Sequence, residues 1–431
     1  MIKLARFFLF AFLFCLPLLP EDFGFKSKAL PDMSIIRAIL IMLIFSLLLG
    51  LLADRTLATK AKRIMREYAV PIGIVALFFA WRIGCSLFSP AGAGTVLTAI
   101  RDMIYYFIPF LAALIVVRGT RDIKFMVLLL IIAACLTSFI GLFEWFSGHR
   151  LYADLTNVDS AWNTKPSIDS NEYQGVLSSF PNALAFGAFL VAPLLLASAV
   201  FYERNPVVIK LMALLAIVIC LMGIIASTSR GALASLVVAL AFGVFLYISR
   251  AYKRINAVQK PIAAFLIVLP IMFVVSMGVG AAAYGLVKGG NEKQFSSSMM
   301  RLVQLEKSEP IMELRPILGY GVGEAAESLG MIAATVDNYY LTVALESGFL
   351  GLLFFIFLIG YFLIRAMKAY LIYRHPYLLV MTMFLAAEIT QLLVISLKQS
   401  IPLLYIGFAM LLIIQRELNW QNISFSRLAH G

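Results

Sequence analysis

Residues 211–248 read LMALLAIVICLMGIIASTSRGALASLVVALAFGVFLYI, two apolar stretches separated by a short polar turn that carries one charge, Arg230. A helix needs about 20 predominantly apolar residues to cross the hydrocarbon core of a bilayer. Each stretch comes close to this length, and the turn is too short for anything but a direct reversal of the chain. The segment therefore predicts two antiparallel membrane helices.

The rest of the chain has the same character. Of 431 residues, 62% are hydrophobic and 13% are charged, whereas soluble domains are about 45–50% apolar and about 25% charged. We therefore predict an all-α membrane protein with about twelve transmembrane helices. The predicted spans are residues 4–20, 35–53, 70–88, 100–117, 125–146, 180–202, 211–228, 231–248, 262–287, 339–364, 377–396 and 402–414.

The formal net charge of +12 does not indicate nucleic-acid binding. The basic residues concentrate in short loops between spans, where the positive-inside rule accounts for them. This rule makes residues 54–69, 118–124 and 250–260 cytoplasmic, together with both termini. The first apolar run could instead be a cleaved signal peptide, but its possible cleavage sites are poor, so a retained first span is favoured.

Motifs of common enzyme sites are absent from the sequence. It has no GxxxxGK[ST] and no HExxH, and its three histidines are scattered. The four cysteines all fall within apolar runs, without metal-binding spacing. We therefore predict neither a metal site nor a cofactor.

Several arginines lie on the predicted outer side, where the positive-inside rule does not require them: Arg101, Arg230, Arg301 and Arg315. The planar guanidinium group grips phosphate through two hydrogen bonds and keeps its charge. These residues are therefore candidates for holding a lipid diphosphate. Alternatively, each contacts lipid phosphate or pairs with an acid such as Asp102. Arg82 lies inside a predicted span and is a weaker candidate of the same kind.

A glycine-spaced turn follows in residues 316–323, where backbone amides such as that of Gly321 could face an anion. After it comes Asp337, where the large outer loop returns to the membrane. Its carboxylate could accept the proton of a sugar hydroxyl, with Asn338 beside it to orient the group. The alternative is that Asp337 caps the helix that begins there.

These segments resemble the O-antigen ligase and polymerase superfamily. The matching motifs run from residue 178 to residue 351 and are Ser178-Ser179-Phe180-Pro181-Asn182-Ala183-Leu184-Ala185, the Ser-Arg-Gly pattern at 229–231, an Arg ahead of Pro-x-x-Gly-x-Gly, Asn-x-Tyr-Leu at 338–341 and Glu-x-Gly-x-x-Gly at 346–351. The remaining chain matches only in hydropathy and number of spans.

The resemblance implies a metal-independent, inverting glycosyltransferase of the GT-C type in the bacterial inner membrane. Its donor would be an undecaprenyl-diphosphate-linked oligosaccharide at the periplasmic face. Arg230 and Arg301 would grip the diphosphate, and Tyr339 and Asn338 would shape the site. Asp337, chosen from its position at the outer interface, is the third predicted catalytic residue. The substrate-binding residues would be Asn182, Ser229, Arg101, Arg315, Gly321, Asn338 and Tyr339. Its other partners would be a glycan or lipid acceptor, membrane lipids and envelope polysaccharide assembly proteins.

One departure bears on the type of reaction. Ligases of this superfamily carry His-Asn-x-x-Leu, and Asp337 stands at the histidine position here. This favours a polymerase of O-antigen or exopolysaccharide over a ligase acting on lipid A-core. A transporter of lipid-linked saccharide would also need a basic outer cavity, and a structural envelope protein is a further alternative. A transporter would also need a matching cavity open to the cytoplasm, and few intramembrane charges besides Arg82, Glu388 and Glu144 are available to couple ions.

The same motifs divide the chain into four parts. Residues 1–177 hold the N-terminal spans and the first large periplasmic loop, and residues 178–287 hold the central spans with the Ser-Arg-Gly turn. Residues 288–338 form a periplasmic catalytic loop with one or two amphipathic helices. Residues 339–431 form the C-terminal spans and a cytoplasmic tail.

Overall fold

The computed structural model describes residues 1–20, 23–27, 30–152, 175–251, 292–330, 336–394 and 400–429. It describes the backbone alone for residues 25–27, 30–33, 250–251, 292–302 and 421–429. Fourteen helices and one β-hairpin make up these parts. The first half contains α1 (Ile2–Leu18), β1 (Gly24–Ser27), β2 (Leu30–Ser34), α2 (Ile35–Ala53), α3 (Arg55–Glu67), α4 (Ala69–Leu87), α5 (Ala93–Val116), α6 (Thr120–Ser147) and α7 (Ala183–Tyr202). The second half contains α8 (Val207–Ala226), α9 (Arg230–Ala251), α10 (Glu292–Leu314), α11 (Ala325–Ser328), α12 (Tyr339–Tyr373), α13 (Pro376–Leu392) and α14 (Ile401–Ala429).

The all-α membrane architecture is confirmed. Within the described residues, nine helices are long and apolar enough to cross a bilayer, and each coincides with a predicted span. The predicted first and eleventh spans correspond to the 17-residue helices α1 and α13. The predicted span at 262–287 lies outside the described residues, so the total of twelve stays a prediction.

Two elements differ from the predicted loops. The loop after the second span contains the helix α3, because its apolar residues recur on one face and its basic residues on the other. The first outer loop forms the antiparallel hairpin of β1 and β2. The second large loop contains α10, in line with the amphipathic helix expected there.

Short connections reverse the chain between successive spans and define two membrane faces. We call the face where α1 begins the first face. The turn at residues 227–229, the loop at 88–92 and residues 315–330 and 336–338 lie at the opposite, second face. All the predicted site residues therefore fall at or near the second face.

The centre of the bundle is formed by α7 and α14. In an apolar stretch of 18 residues within each of these helices, 78% and 83% of the residues are buried. The corresponding share is 33% in α2 and α8, which expose apolar side chains such as Leu52 and Leu215 on the outside of the bundle. In water these surfaces would be unfavourable, but in a bilayer they face lipid. The most buried helices thus lie inside the bundle, and the least buried ones lie at its lipid-facing surface.

Candidate functional site at the second membrane face

The Ser-Ser-Phe-Pro-Asn segment is anchored by a buried carboxylate. Glu144, near the end of α6, accepts hydrogen bonds from the amides of Leu177 (3.2 Å) and Ser178 (2.9 Å). Asn182 then caps α7, because its side-chain oxygen accepts the amide hydrogen of Ala185 at 2.7 Å. The predicted substrate-binding residue Asn182 thus has a structural partner, while its side chain remains exposed.

The Ser-Arg-Gly turn packs tightly on the central helix α7. A Cβ atom at Gly187 would lie 2.3 Å from the Ser227 hydroxyl oxygen, so only glycine allows this approach. Ser229 is fully buried, and its hydroxyl accepts the amide hydrogen of Ala232 at 3.3 Å. Arg230, the first residue of α9, is half-buried. The turn holds Arg230 at the second face, and the predicted binding residue Ser229 acts as a cap beneath it.

A buried glutamine joins the helices behind this turn. The amide nitrogen of Gln391, at the end of α13, donates to the Ala188 carbonyl of α7 and to the Ser235 hydroxyl of α9, both at 3.0 Å. Ser235 lies a little over one helical turn from Arg230. The start of α9 is therefore linked to the end of α13 and to α7 by polar contacts inside the bundle.

The glycine-spaced turn fills an interruption in α12. Gly348 has φ +71°, a left-handed conformation that breaks the helix and leaves backbone groups unpaired. Such groups must find partners inside a membrane protein. Here the glycine turn supplies two of them, since the amides of Tyr320 and Gly321 donate to the carbonyls of Leu345 (2.8 Å) and Glu346 (2.9 Å). Trp81 Nε1 donates to the Ser347 carbonyl at 3.0 Å. The Phe349 amide donates to the Pro316 carbonyl at 2.7 Å.

The amides expected to form an anion site are thus paired within the protein. Gly321 donates to a backbone carbonyl, and the amide of Gly323 donates to the Glu346 carboxylate at 2.8 Å. The anion that this turn faces is therefore a side chain of the protein itself. Gly321 still contributes to the site, because it shapes the turn that ties residues 316–323 to α12.

Glu346 also forms the strongest buried contact at this face. Its other carboxylate oxygen accepts a hydrogen bond from Arg82 at 2.5 Å, and Asp102 lies 3.4 Å from the same guanidinium nitrogen. Arg82 and Glu346 are only 2% and 3% exposed. Two carboxylates therefore compensate one buried arginine, which links α4, α5 and α12 at the depth of the glycine turn.

The aromatic ring of Tyr339 closes this cluster. The residue is 4% exposed, and its hydroxyl interacts with the Arg82 guanidinium group. Arg82 therefore lies between two carboxylates and a phenol. The predicted binding residue Tyr339 faces the interior of the bundle at this point, and its contribution to a substrate site would be through the position of Arg82.

The residue that caps α12 is Asn338, one residue after Asp337, which the sequence offered as a possible cap. The side chain of Asn338 accepts the amide hydrogens of Tyr340 (2.9 Å) and Leu341 (3.2 Å), so Asn338 caps α12. The alternative role of Asp337 as this cap is thus wrong. The backbone amide of Asp337 donates to the Gln304 side chain at 3.2 Å, which joins α10 to the start of α12. The half-buried Asp337 carboxylate has no capping task there.

The four outer arginines have different surroundings. Arg315 donates to the Phe88 carbonyl at 3.0 Å and its guanidinium lies 5.9 Å from the centre of the Tyr320 ring. Arg101 is exposed. Arg301 is on α10, but its side chain lies outside the described part of the structure. The acid expected as an arginine partner, Asp102, pairs with Arg82.

Two carboxylates lie beside the glycine turn. Burial, followed by the neighbouring Glu327, raises the pKa of the Glu324 carboxyl above its ordinary value. Among the described residues, no three His, Cys, Asp or Glu side chains are grouped as metal ligands would be.

Sequence reasoning gave too little weight to Arg82 and missed its partners. Arg82 stood out as an intramembrane charge, and Glu346 stood in a quoted motif, but 264 positions separate them. No local pattern joins residues so far apart. Glu144 and Gln391 were missed as organisers of the site for the same reason, although a polar residue inside a span is a usable signal.

The Wzy_C family, described as O-antigen ligase, matches residues 214–356. The matched segment contains Arg230, the glycine turn, Asp337 and Glu346. No curated protein matches the chain. This match to residues 214–356 supports the resemblance of this multi-pass membrane protein to the O-antigen ligase and polymerase superfamily.

Proposed function

We propose that the protein is an inverting, metal-independent glycosyltransferase that polymerises an O-antigen or exopolysaccharide. Its donor would be an undecaprenyl-diphosphate-linked glycan in the bacterial inner membrane, and the second face would be the periplasmic face. The acceptor would be the end of another glycan. The proposal combines the O-antigen ligase domain with the chemistry of the side chains at the second face.

One observation carries the proposal: helix ends that are far apart in sequence meet at the second face. Gln391 joins α9, which begins with Arg230, to α13. The Tyr340 hydroxyl of α12 then donates to the Ile389 carbonyl of α13 at 3.2 Å. Gln304 of α10 binds the amide of Asp337. These contacts connect the elements that bear Arg230, Asp337 and Arg301.

The position of Arg301 on α10 supports its assignment to this group. It precedes Gln304 by three residues, a spacing that puts both positions on one face of a helix. Gln304 itself is bonded to the backbone of Asp337. Arginines at the start of α9 and on α10 are suited to stabilise a diphosphate from two sides, since each guanidinium group offers parallel hydrogen bonds.

In the proposed reaction, an acceptor hydroxyl oxygen attacks the anomeric carbon of the donor sugar. The bond between this carbon and the diphosphate oxygen breaks, and its electron pair leaves with the diphosphate on the opposite face. Because the transition state resembles an oxocarbenium ion, stabilisation of the leaving group is the main requirement. Arg230 and Arg301 would meet it, and Asp337 would orient the hydroxyl and accept its proton.

Arginine-to-lysine variants test the diphosphate assignment. In a strain lacking this protein, complementation with Arg230→Lys or Arg301→Lys should restore at most about a hundredth of the wild-type glycan synthesis, because a point charge does not replace the bidentate fork. Surface glycan would be measured by gel electrophoresis at matched protein levels. Arg121→Lys, at an exposed position on the first face, is the matched control and should behave as wild type. Full synthesis with both site variants would contradict the assignment.

The ligase remains the second candidate, because the matching family is described as O-antigen ligase. In that case the acceptor would be lipid A-core or another acceptor, and the same residues would hold the donor. The deletion strain separates the two reactions. A polymerase defect should leave single repeat units attached to the cell surface, whereas a ligase defect should leave full-length glycan on its lipid carrier.

A further inference from the structure

A second group of charged residues lies at the opposite face of the membrane. Lys60, on the amphipathic helix α3, donates to the Ile115 carbonyl at the end of α5 at 2.7 Å. Leu57, Ala61 and Ile64, on the same side of α3 as Lys60, are buried against the bundle. Lys60 is therefore held at the junction between α3 and the membrane spans.

Arginines from three other parts of the chain face this lysine. The charges of Arg416, Arg6, Arg118 and Arg63 all act on Lys60. They come from α14, from α1, from the connection before α6 and from α3 itself. The predicted cytoplasmic loops 54–69 and 118–124 thus meet in one place. We call Arg6, Lys60, Arg63, Arg118 and Arg416 the basic cluster.

Carboxylates compensate only part of this charge. Asp122 lies 3.3 Å from Arg6 and accepts the amide hydrogen of Arg118 at 2.8 Å. Glu417 accepts a hydrogen bond from Thr120 at 3.0 Å. Within the described part of the chain, the Nη2 atom of Arg6 is buried without a hydrogen-bond partner. Positive charge therefore exceeds negative charge in the cluster, at a site where water is partly excluded.

The location indicates what could supply the missing negative charge. The basic cluster lies at the ends of membrane helices, which is the depth of lipid headgroups, and Arg63 and Arg118 are exposed there. Basic pockets between transmembrane helices at a cytoplasmic surface bind anionic headgroups through their phosphates. We propose that the basic cluster is a binding site for the phosphate of an anionic phospholipid, separate from the glycan site at the second face.

The positive-inside rule alone would not produce this arrangement. That rule asks for basic residues near the cytoplasmic surface, and exposed residues such as Lys62 and Arg66 on the outer side of α3 satisfy it. Lys60 and Arg416, by contrast, are half-buried and converge from distant parts of the sequence. This convergence costs electrostatic free energy, which a bound phosphate would offset.

Lipid titration of the purified full-length protein tests the proposal. Binding of phosphatidylglycerol and of phosphatidylcholine would be measured by native mass spectrometry in a neutral detergent. We expect phosphatidylglycerol to bind in preference, and Lys60→Gln or Arg118→Gln to lower its affinity roughly fivefold each. Lys62→Gln, an exposed position on the same helix, should leave the affinity unchanged. Arg118 is exposed, so its variant tests the site even where Lys60→Gln does not fold.

Three results would overturn the proposal. Equal binding of the two lipids would show that charge is not recognised. An equal effect of Lys62→Gln and Lys60→Gln would show that the surface acts as a whole. Displacement of the lipid by inorganic phosphate at similar concentration would show a site for a soluble anion.

Discussion

Two buried or half-buried cations, one near each face of the membrane, have opposite electrostatic surroundings. Arg82 near the second face is 2% exposed and contacts two carboxylates, Glu346 at 2.5 Å and Asp102 at 3.4 Å. Lys60 at the first face is half-buried and faces four arginines. The protein thus compensates one cation fully and leaves the other among like charges.

The difference separates a structural contact from a binding surface. Arg82 finds its counter-charges in the protein itself, and its contact with Glu346 holds the interrupted helix α12 to α4. The basic cluster around Lys60 is complete only with an external anion. Arg82 therefore has a structural role although it lies close to the proposed glycan site. The basic cluster binds a ligand although it lies at the opposite face.

The largest expected effect comes from breaking the buried pair. Glu346→Gln should lower the free energy of unfolding by about 3–5 kcal/mol, because it leaves Arg82 buried with only its more distant carboxylate. The loss would be read as a lower midpoint of thermal unfolding in detergent, with Glu306→Gln at an exposed position of α10 as control. Equal midpoints for Glu346→Gln and wild type would remove the structural role assigned to this pair.

A smaller effect should separate two neighbouring residues at the start of α12. Asn338→Ala should lower stability by about 1 kcal/mol, because it removes the cap of the helix. Asp337→Asn leaves this cap in place and should slow glycan transfer. Thermal midpoints and glycan gels on the same two variants measure both quantities. Unchanged transfer with Asp337→Asn would exclude the proposed role of its carboxylate.

The smallest effect concerns pH at the first face. Burial, followed by Arg416, Arg6, Arg118 and Arg63, lowers the pKa of Lys60 from 10.5 to about 8. Lys60 is therefore charged below this pKa and neutral above it, so affinity for phosphatidylglycerol should fall roughly fivefold between about pH 7 and about pH 10.

Lys60→Arg provides the matched comparison for this titration. Arginine keeps its charge over the whole range, so this variant should bind phosphatidylglycerol with little dependence on pH. The bound phosphate raises the pKa of Lys60, which shifts the transition of the wild type upward without changing its direction. A fall of equal size in both proteins would attribute the pH dependence to other groups.

Hydropathy was enough to predict nine of the spans in the described residues, since crossing a bilayer needs only a local run of apolar residues. The predicted order of spans also put Arg230, Asp337 and the glycine turn at one face of the membrane. The alternative role of Asp337, as the cap of α12, was one residue off, because Asp337 and Asn338 are both favoured caps and only the backbone conformation selects between them.

The pairing of charges was decided by the tertiary structure. Arg82 and Glu346 are 264 positions apart, and Lys60 is near Arg416 only because α3 packs against the end of α5. Whether a segment inserts into the membrane depends on its own composition, which can be read from the sequence. The free energy of a buried charge depends on the groups within a few ångströms of it, and packing alone determines which residues these are.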